Sequence, residues 1–260
     1  NYMNPKIKKI LSKKNKSKII CLTSYTKNFS EILDKYTDII LVGDSLGSVL
    51  YSFDTTKNVN LKMMIEHSKS VRKGVKKSLM VVDMPYNTYR NKSEALKNAK
   101  KIIKDSKADA VKLEGGKKII NIIKHLRKNK INVMGHLGIL PQSQKGKFRY
   151  KGKTSLERKK LLADAMLLQK NGVFSIVLEC IETSLSKKIT KELKIPTIGI
   201  GSSVNCDGQV LVTDDLIGLN LTSIKFVKNF YNIRKHIELA IKRFSSDVKN
   251  KKYPSSKFSY

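Results

Sequence analysis

The stretch that decides the fold runs from Ala110 to Gly138, AVKLEGGKKIINIIKHLRKNKINVMGHLG. It opens on a short run, Ala110–Leu113, that is apolar apart from one lysine, and turns at Gly115–Gly116. Helical periodicity follows over Lys117–Lys128, and a second apolar run begins at Ile131 and reaches Met134. Strand, helix and strand at this spacing make a βαβ unit, whose two strands must be parallel because the helix carries the chain back across the sheet.

Outward from this unit the pattern repeats. Six further runs, Ile19–Leu22, Ile39–Val42, Leu79–Val82, Ser175–Leu178, Pro196–Ile200 and Gln209–Val212, bring the total to eight. Each is nearly continuous in apolar character, as strands buried on both faces of a parallel sheet require. The segments between them read as helices: Phe29–Tyr36, Leu61–Lys77, Ser93–Ser106, Ser155–Asn171, Ser184–Leu193 and Lys225–Phe244. In Leu61–Lys77 the residues Leu61, Met64, Ile65, Ser68 and Val71 recur with a period of about 3.6. Eight strands alternating with helices over 260 residues is the count of a (βα)8 TIM barrel. An open, doubly wound sheet shares the pattern, because counting strands does not show closure. The whole chain, 1–260, reads as one barrel domain. Pro5–Lys14 is an amphipathic helix placed to cap the barrel floor, and 245–260 is a polar surface tail. Pro141–Lys153 is the longest unpatterned loop.

Composition narrows the function classes. The net charge of +32 suggests a polyanion partner, but 46 of the 53 basic residues are lysine and they are spread along the chain. Specific nucleic-acid readout favours arginine forks and a concentrated stripe. A solvated lysine surface of a chain rich in Lys, Asn and Ile is therefore expected, with no specific nucleic-acid site. No apolar run reaches the ~18 residues of a membrane span. Cys21, Cys180 and Cys206 are odd in number, far apart and outside any CxxC, which excludes a disulfide framework and a structural zinc site. A cytoplasmic location is expected.

In a TIM barrel the chemistry sits where strands end. Asp44, Asp83, Glu114 and Glu179 stand at four of the eight strand ends, Lys112 lies inside the fourth run, and His136 follows the fifth. Converging carboxylates repel one another unless a cation sits among them. Lys112 supplies one charge, and oxygen ligands without a His pair or Cys favour Mg²⁺ over Zn²⁺. Such an ion, chelating the oxygens of an α-keto acid, acidifies the neighbouring C–H and leaves another carboxylate to act as general base. Plainer readings stay open at this point. Asp44 suits a helix N-cap, Asp83 a turn, and Glu114 and Glu179 solvated strand ends. Lys112 suits an inter-strand ion pair, and His136 a satisfied core position.

Seven motifs in order carry a family resemblance: VGDSLG at 42–47, VVDMP at 81–85, VKLEGG at 111–116, GHLGILPQS at 135–143, VLEC at 177–180, IPTIGIGS at 195–202 and CDGQVLV at 206–212. Together they resemble the ketopantoate hydroxymethyltransferases, over about residues 7–254. The resemblance implies a (βα)8 barrel assembled as a homo-oligomer, typically a decamer, that moves a hydroxymethyl group from 5,10-methylenetetrahydrofolate to 3-methyl-2-oxobutanoate with Mg²⁺. It further implies Asp44 and Asp83 as metal ligands, with Glu114 an additional acid of the metal shell. Asp44, Ser45, Asp83 and Lys112 are implied as contacts to the keto acid, His136 as lining the site, and Glu179 as the acceptor of the C3 proton. The chain departs from the family pattern at Ser202–Ser203, where a second glycine is usual, and at Ser52–Phe53, where Gly-His is usual. The phosphoenolpyruvate mutase and isocitrate lyase relatives share the metal-plus-enolate logic, but carry a Cys-containing catalytic loop after an early strand that is not found here.

Overall fold

The computed structural model describes residues 3–143, 149–220 and 224–260, in two compact units, Asn1–Val212 and Thr213–Tyr260. The first unit holds eight strands: β1 (Ile19–Thr23), β2 (Ile39–Val42), β3 (Leu79–Asp83), β4 (Ala110–Glu114), β5 (Val133–Gly138), β6 (Ser175–Glu179), β7 (Thr197–Ile200) and β8 (Gly208–Leu211). Each pairs in parallel with the next, and β8 returns to β1 with Ile19 beside Gly208 and Leu22 beside Leu211. The sheet is thus closed, and the open-sheet alternative is excluded.

The helices of this unit are α1 (Pro5–Ser12), α2 (Lys27–Leu33), α3 (Leu46–Tyr51), α4 (Leu61–Gly74), α5 (Lys92–Ser106), α6 (Ile120–Lys128), α7 (Ser155–Lys170) and α8 (Thr183–Glu192). Their starts are set by local chemistry. Asn60, Asn91 and Thr154 each accept a hydrogen bond from the backbone N–H three residues on, at the first turns of α4, α5 and α7. The fifth strand differs from the expected Ile131–Met134: it starts later and runs through Gly135, His136, Leu137 and Gly138. Two glycines weaken the local strand signal, but pairing with Leu113 and Glu114 on one side and Val177–Glu179 on the other draws them into the ladder. In the loop expected over Pro141–Lys153, Pro141–Ser143 form a 3-10 turn, and 144–148 lie outside the described residues.

Side chains alternate in direction along each strand. Ile40, Val42, Met80, Val82, Val111, Leu113, Ile176 and Leu178 face the helices and join one core. Ile39, Leu41, Leu79, Val81, Ala110, Met134, Val177 and Ile198 fill the barrel interior. The same period carries Asp83, Lys112, Glu114, His136 and Glu179 inward, one or two steps further toward the mouth.

The floor is sealed as expected by α1, whose Ile7 and Ile10 join the interior cluster. Three aspartates that immediately precede strands hold it there. Asp38, before β2, pairs with Lys13 at 2.7 Å, and Asp207, before β8, pairs with Lys14 at 2.8 Å. Asp109, before β4, accepts from Asn4 at 3.1 Å and lies 3.8 Å from Lys6. Each also accepts a backbone N–H from the preceding strand: Ile20, Thr197 and Met80 respectively.

A fourth floor acid, Asp34, accepts from the backbone N–H groups of Lys76, Lys77 and Ser78 at 2.8–3.0 Å. Burial works to raise its pKa, but those donors outweigh burial and hold it below the ordinary range. Asp34→Ala is expected to cost about 2–3 kcal/mol in urea unfolding, the scale of charged hydrogen bonds whose donors lose their acceptor. Because the folded pKa is depressed, this contribution is complete above the unfolded value of about 3.9 and is lost as pH falls through the folded one. Asp34→Asn removes that acid dependence.

In the second unit, α9 (Thr213–Leu216) is followed by α10 (Ile233–Lys249). The latter starts later than the expected Lys225 and extends into the stretch read as a tail. None of its residues is buried, and Ile237, Ile241, Phe244 and Val248 form an exposed apolar stripe.

Candidate active site

The inward side chains at the ends of β3 to β6 meet as neighbours because their strands are in register. Asp83 stands beside Lys112, Glu114 beside His136, and Gly138 beside Glu179. Lys112 Nζ lies 3.1 Å from Asp83 Oδ1 and 3.2 Å from His136 Nδ1. His136 Nδ1 is 3.6 Å from Glu114 Oε1, and its Nε2 is 3.1 Å from Glu179 Oε2. The Nε2 contact is close but lacks the alignment of a formed hydrogen bond, and Asp83 Oδ1, though in ion-pair range, accepts none either. Asp44, just past β2, donates its backbone N–H to Asp83 Oδ2 at 3.1 Å. Gly43 leaves room for the Ser45 hydroxyl: a Cβ there would sit 2.8 Å from Ser45 Oγ. Ser45 Oγ is 2.7 Å from Tyr25 Oη, so its hydroxyl is held at the rim.

Asp44 does not cap α3: the cap position is Ser45, and it makes no side-chain cap bond. Glu114 is buried and not a solvated loop acid. Lys112 does form the inter-strand ion pair, but within a cluster of four acids that one ammonium cannot neutralise. His136 is buried, with one ring nitrogen left without a formed bond.

Electrostatics follow from burial and charge imbalance. Burial, then the neighbouring Asp83, pushes Asp44 well above the usual carboxylate range. Burial, then Asp44, does the same to Glu114. For Lys112 burial opposes the charge, but Asp83, Glu114 and Asp44 prevail and hold the ammonium above its ordinary value. Burial, then Lys112, lowers His136, so its imidazole is neutral at pH 7. An ammonium only donates, so Nδ1 accepts from Lys112 and the ring proton sits on Nε2, facing Glu179.

Gln142 and Tyr89, which the sequence did not single out, complete the arrangement. Gln142, buried in the turn after β5, donates its Nε2 to Asp44 Oδ2 at 2.8 Å and to the carbonyl of Met84 at 2.9 Å. Its backbone N–H donates to Glu114 Oε2 at 3.1 Å, and its Oε1 accepts from Tyr89 Oη at 2.5 Å. Gln142 thereby links three loops and two acids. The only sequence signal for it was its place in the GHLGILPQS motif. Cys180, directly after Glu179, has a left-handed backbone (φ 48) and a buried thiol that burial, then Glu179, pushes up to about 12, so it is no nucleophile at neutral pH.

Among the described residues no three His, Cys, Asp or Glu side chains are grouped closely enough to hold one ion by themselves. A pair of carboxylates does suit Mg²⁺, which keeps most positions for water and substrate oxygens. Asp44 and Asp83 form such a pair. The raised carboxyls and the buried Asp83 Oδ1 without a formed hydrogen bond are what a site designed around added positive charge leaves behind. Glu114, engaged with Gln142, fits a place in the outer shell.

Comparison with solved structures places the fold. A phosphonopyruvate hydrolase in complex with oxalate and Mg²⁺ superposes with a TM-score of 0.63 at 9% identity, covering 97% of this chain and 93% of that one. A 2,3-dimethylmalate lyase of the PEP mutase/isocitrate lyase superfamily gives 0.60 at 11%, covering 98% and 88%. Sequence relatives are far closer. The 3-methyl-2-oxobutanoate hydroxymethyltransferase of Pelagibacter ubique (strain HTCC1062) is 65% identical over 99% of this chain and 100% of its own length. The enzyme of the same name from Helicobacter pylori (strain ATCC 700392 / 26695) is 41% identical, over 96% and 93%. The sequence model of the family described as ketopantoate hydroxymethyltransferase matches residues 4–256. With nearly its whole length matched in this way, the chain belongs to the ketopantoate hydroxymethyltransferase family.

Proposed function

We propose that this protein transfers a hydroxymethyl group from 5,10-methylenetetrahydrofolate to 3-methyl-2-oxobutanoate, giving 2-dehydropantoate and committing carbon to pantothenate, the coenzyme A precursor. The observation that carries the reading is the placement of Glu179. It stands on β6, opposite β2 in the ring of eight strands, so it faces the Asp44–Asp83 pair across the mouth. A base so placed reaches a substrate carbon from a side that the ligands do not occupy.

Asp44 and Asp83 would hold Mg²⁺, with Glu114 acting through water. Bound there, the ion supplies the Lewis acidity that makes C3–H of the keto acid removable. The chain's own groups do the rest. Ser45, oriented by Tyr25, offers its hydroxyl to a substrate oxygen. Lys112 presents positive charge where negative charge develops on the keto oxygen. Glu179 takes the C3 proton, and His136 Nε2–H, 3.1 Å from Glu179 Oε2, is near enough to donate to that carboxylate once the two align. One water adds to the methylene carbon as its two C–N bonds break, releasing tetrahydrofolate, and the enolate forms the new C–C bond to that carbon, whose oxygen becomes the product's hydroxyl. C3 already carries two methyl groups, so it has a single proton to give.

A homo-oligomer belongs to the same proposal. The exposed stripe of α10 supports it, since apolar side chains aligned on one exposed face mark a contact surface.

The test is product formation from keto acid and 5,10-methylenetetrahydrofolate, with and without Mg²⁺. Turnover is expected only with all three present. Chelation should abolish it and Mg²⁺ should restore it. Turnover that persists in excess chelator would overturn the metal reading.

A further inference from the structure

Asp44 and Asp83, the pair read above as ligands of Mg²⁺, are held alike. Each carboxylate has one oxygen tied to a donor: Asp44 Oδ2 to Gln142 Nε2 at 2.8 Å, and Asp83 Oδ2 to the backbone N–H of Asp44 at 3.1 Å. Among the described residues the other oxygen of each, Oδ1, accepts no formed hydrogen bond. A carboxylate fixed at one oxygen keeps the other in one direction, as an ion with strict octahedral demands requires of its ligands. For Asp83 the donor is backbone and comes with the fold. For Asp44 it is a single side chain from another loop, 98 residues further along the chain.

That side chain is itself fixed. Gln142 is buried, and a buried amide is tolerated when its polar atoms are bonded. Nε2 donates its second hydrogen to the carbonyl of Met84 at 2.9 Å, and Oε1 accepts from Tyr89 Oη at 2.5 Å. A carbonyl only accepts, so the amide nitrogen faces Met84 and Asp44 and the amide oxygen faces Tyr89. Turned over, the amide would set its oxygen against two acceptors. Tyr89 in turn packs against the helix-side core, and its neighbour Thr88 is tied to α5 by Asn98 Nδ2 at 2.8 Å. Support therefore runs from the core to Tyr89, from Tyr89 to Gln142, and from Gln142 to Asp44. The bond from the Gln142 backbone N–H to Glu114 Oε2 is separate, and side-chain substitutions leave its donor in place.

We propose that Gln142 is a positioning residue for the cation: backed by Tyr89, it holds Asp44 by Oδ2 and leaves Oδ1 to ligate, and it acts on the reaction only through that ligand. The proposal rests on the metal reading above. Its test measures binding of Mn²⁺ to the full chain, from the paramagnetic resonance of the free ion, and of Mg²⁺ from its displacement of Mn²⁺, each with and without keto acid. Gln142→Met keeps the length of the side chain and removes its three hydrogen bonds. It is expected to weaken Mg²⁺ binding about 10–100-fold, the range for removing a partner of a metal ligand. Tyr89→Phe removes one hydroxyl, keeps the packed ring and leaves Gln142 its other bonds, so a loss of about threefold is expected, within the scale of one neutral hydrogen bond. The double variant should bind no more weakly than Gln142→Met alone, because Tyr89 acts through Gln142. The resonance of bound Mn²⁺ should broaden in both single variants, as one ligand loses its fixed direction. A residue that only stapled loops together would lower the melting temperature in chelator and leave the ion's affinity and spectrum unchanged. Wild-type affinity in Gln142→Met, or additive losses in the double variant, overturn the proposal. If Gln142→Met does not fold, Tyr89→Phe decides, and unchanged affinity and spectrum there overturn it. A wild type that binds neither ion in either condition overturns the metal reading itself, and the proposal with it.

Discussion

Glu179→Gln is expected to fold, to bind keto acid and Mg²⁺ with near-normal affinity, and to lose turnover by about 10²–10⁴-fold, the range for removing a general base. The substitution keeps the shape and the contact with His136 while removing the basic oxygen. It should also stop exchange of the C3 proton with deuterated water, an assay that isolates proton abstraction from one-carbon transfer. Wild-type exchange in the variant would move the base to Glu114 or His136. Failure to bind Mg²⁺ would place Glu179 among the metal's ligands.

The second large effect separates the two aspartates. Asp44→Asn and Asp83→Asn should each lower turnover by about 10³-fold, because each weakens a site asked for several kcal/mol of charge stabilisation. Their stabilities should diverge. Asp83 is the ion-pair partner of the buried Lys112, and breaking a buried pair costs about 3–5 kcal/mol. Asp44 instead suffers from burial and from Asp83's charge, while its hydrogen bond from Gln142 survives in the asparagine. The metal-free Asp44→Asn protein should therefore melt no lower than the wild type, and the Asp83→Asn protein clearly lower. Calorimetry in chelator reads the difference, and equal melting of the two variants would contradict the charge arrangement described above.

Most of this site was legible in the sequence because a parallel strand announces itself twice, by an apolar run and by the polar residue that ends it. Asp83, Glu114 and Glu179 close such runs, and Lys112 is conspicuous as a charge inside one. His136 was harder to place, since the glycines beside it hide the continuation of β5 and only pairing with β4 and β6 puts it in the ladder. Gln142 and Tyr89 carried no local sign of their role. Their bonds join residues 98 and 53 positions apart, and such a pairing exists only once the loops are folded together. Asp38, Asp109 and Asp207 were passed over for a different reason. They precede strands, where a polar residue is ordinary, and their importance depends on α1 docking against the finished floor.

The seam between β1 and β8 gives that docking a consequence during synthesis. Lys14 and Asp207, bonded at the floor, are 193 residues apart. On the ribosome Ile7 and Ile10 emerge ahead of the last strand beneath them by nearly the whole barrel. At about 5–20 residues per second the wait is roughly 10–40 s. Through that interval the apolar side of α1 has no finished floor to cover, and the partly made sheet has two open edges. Nascent-chain capture by chaperones should accordingly peak before Gly208 emerges and fall once β8 has joined β1.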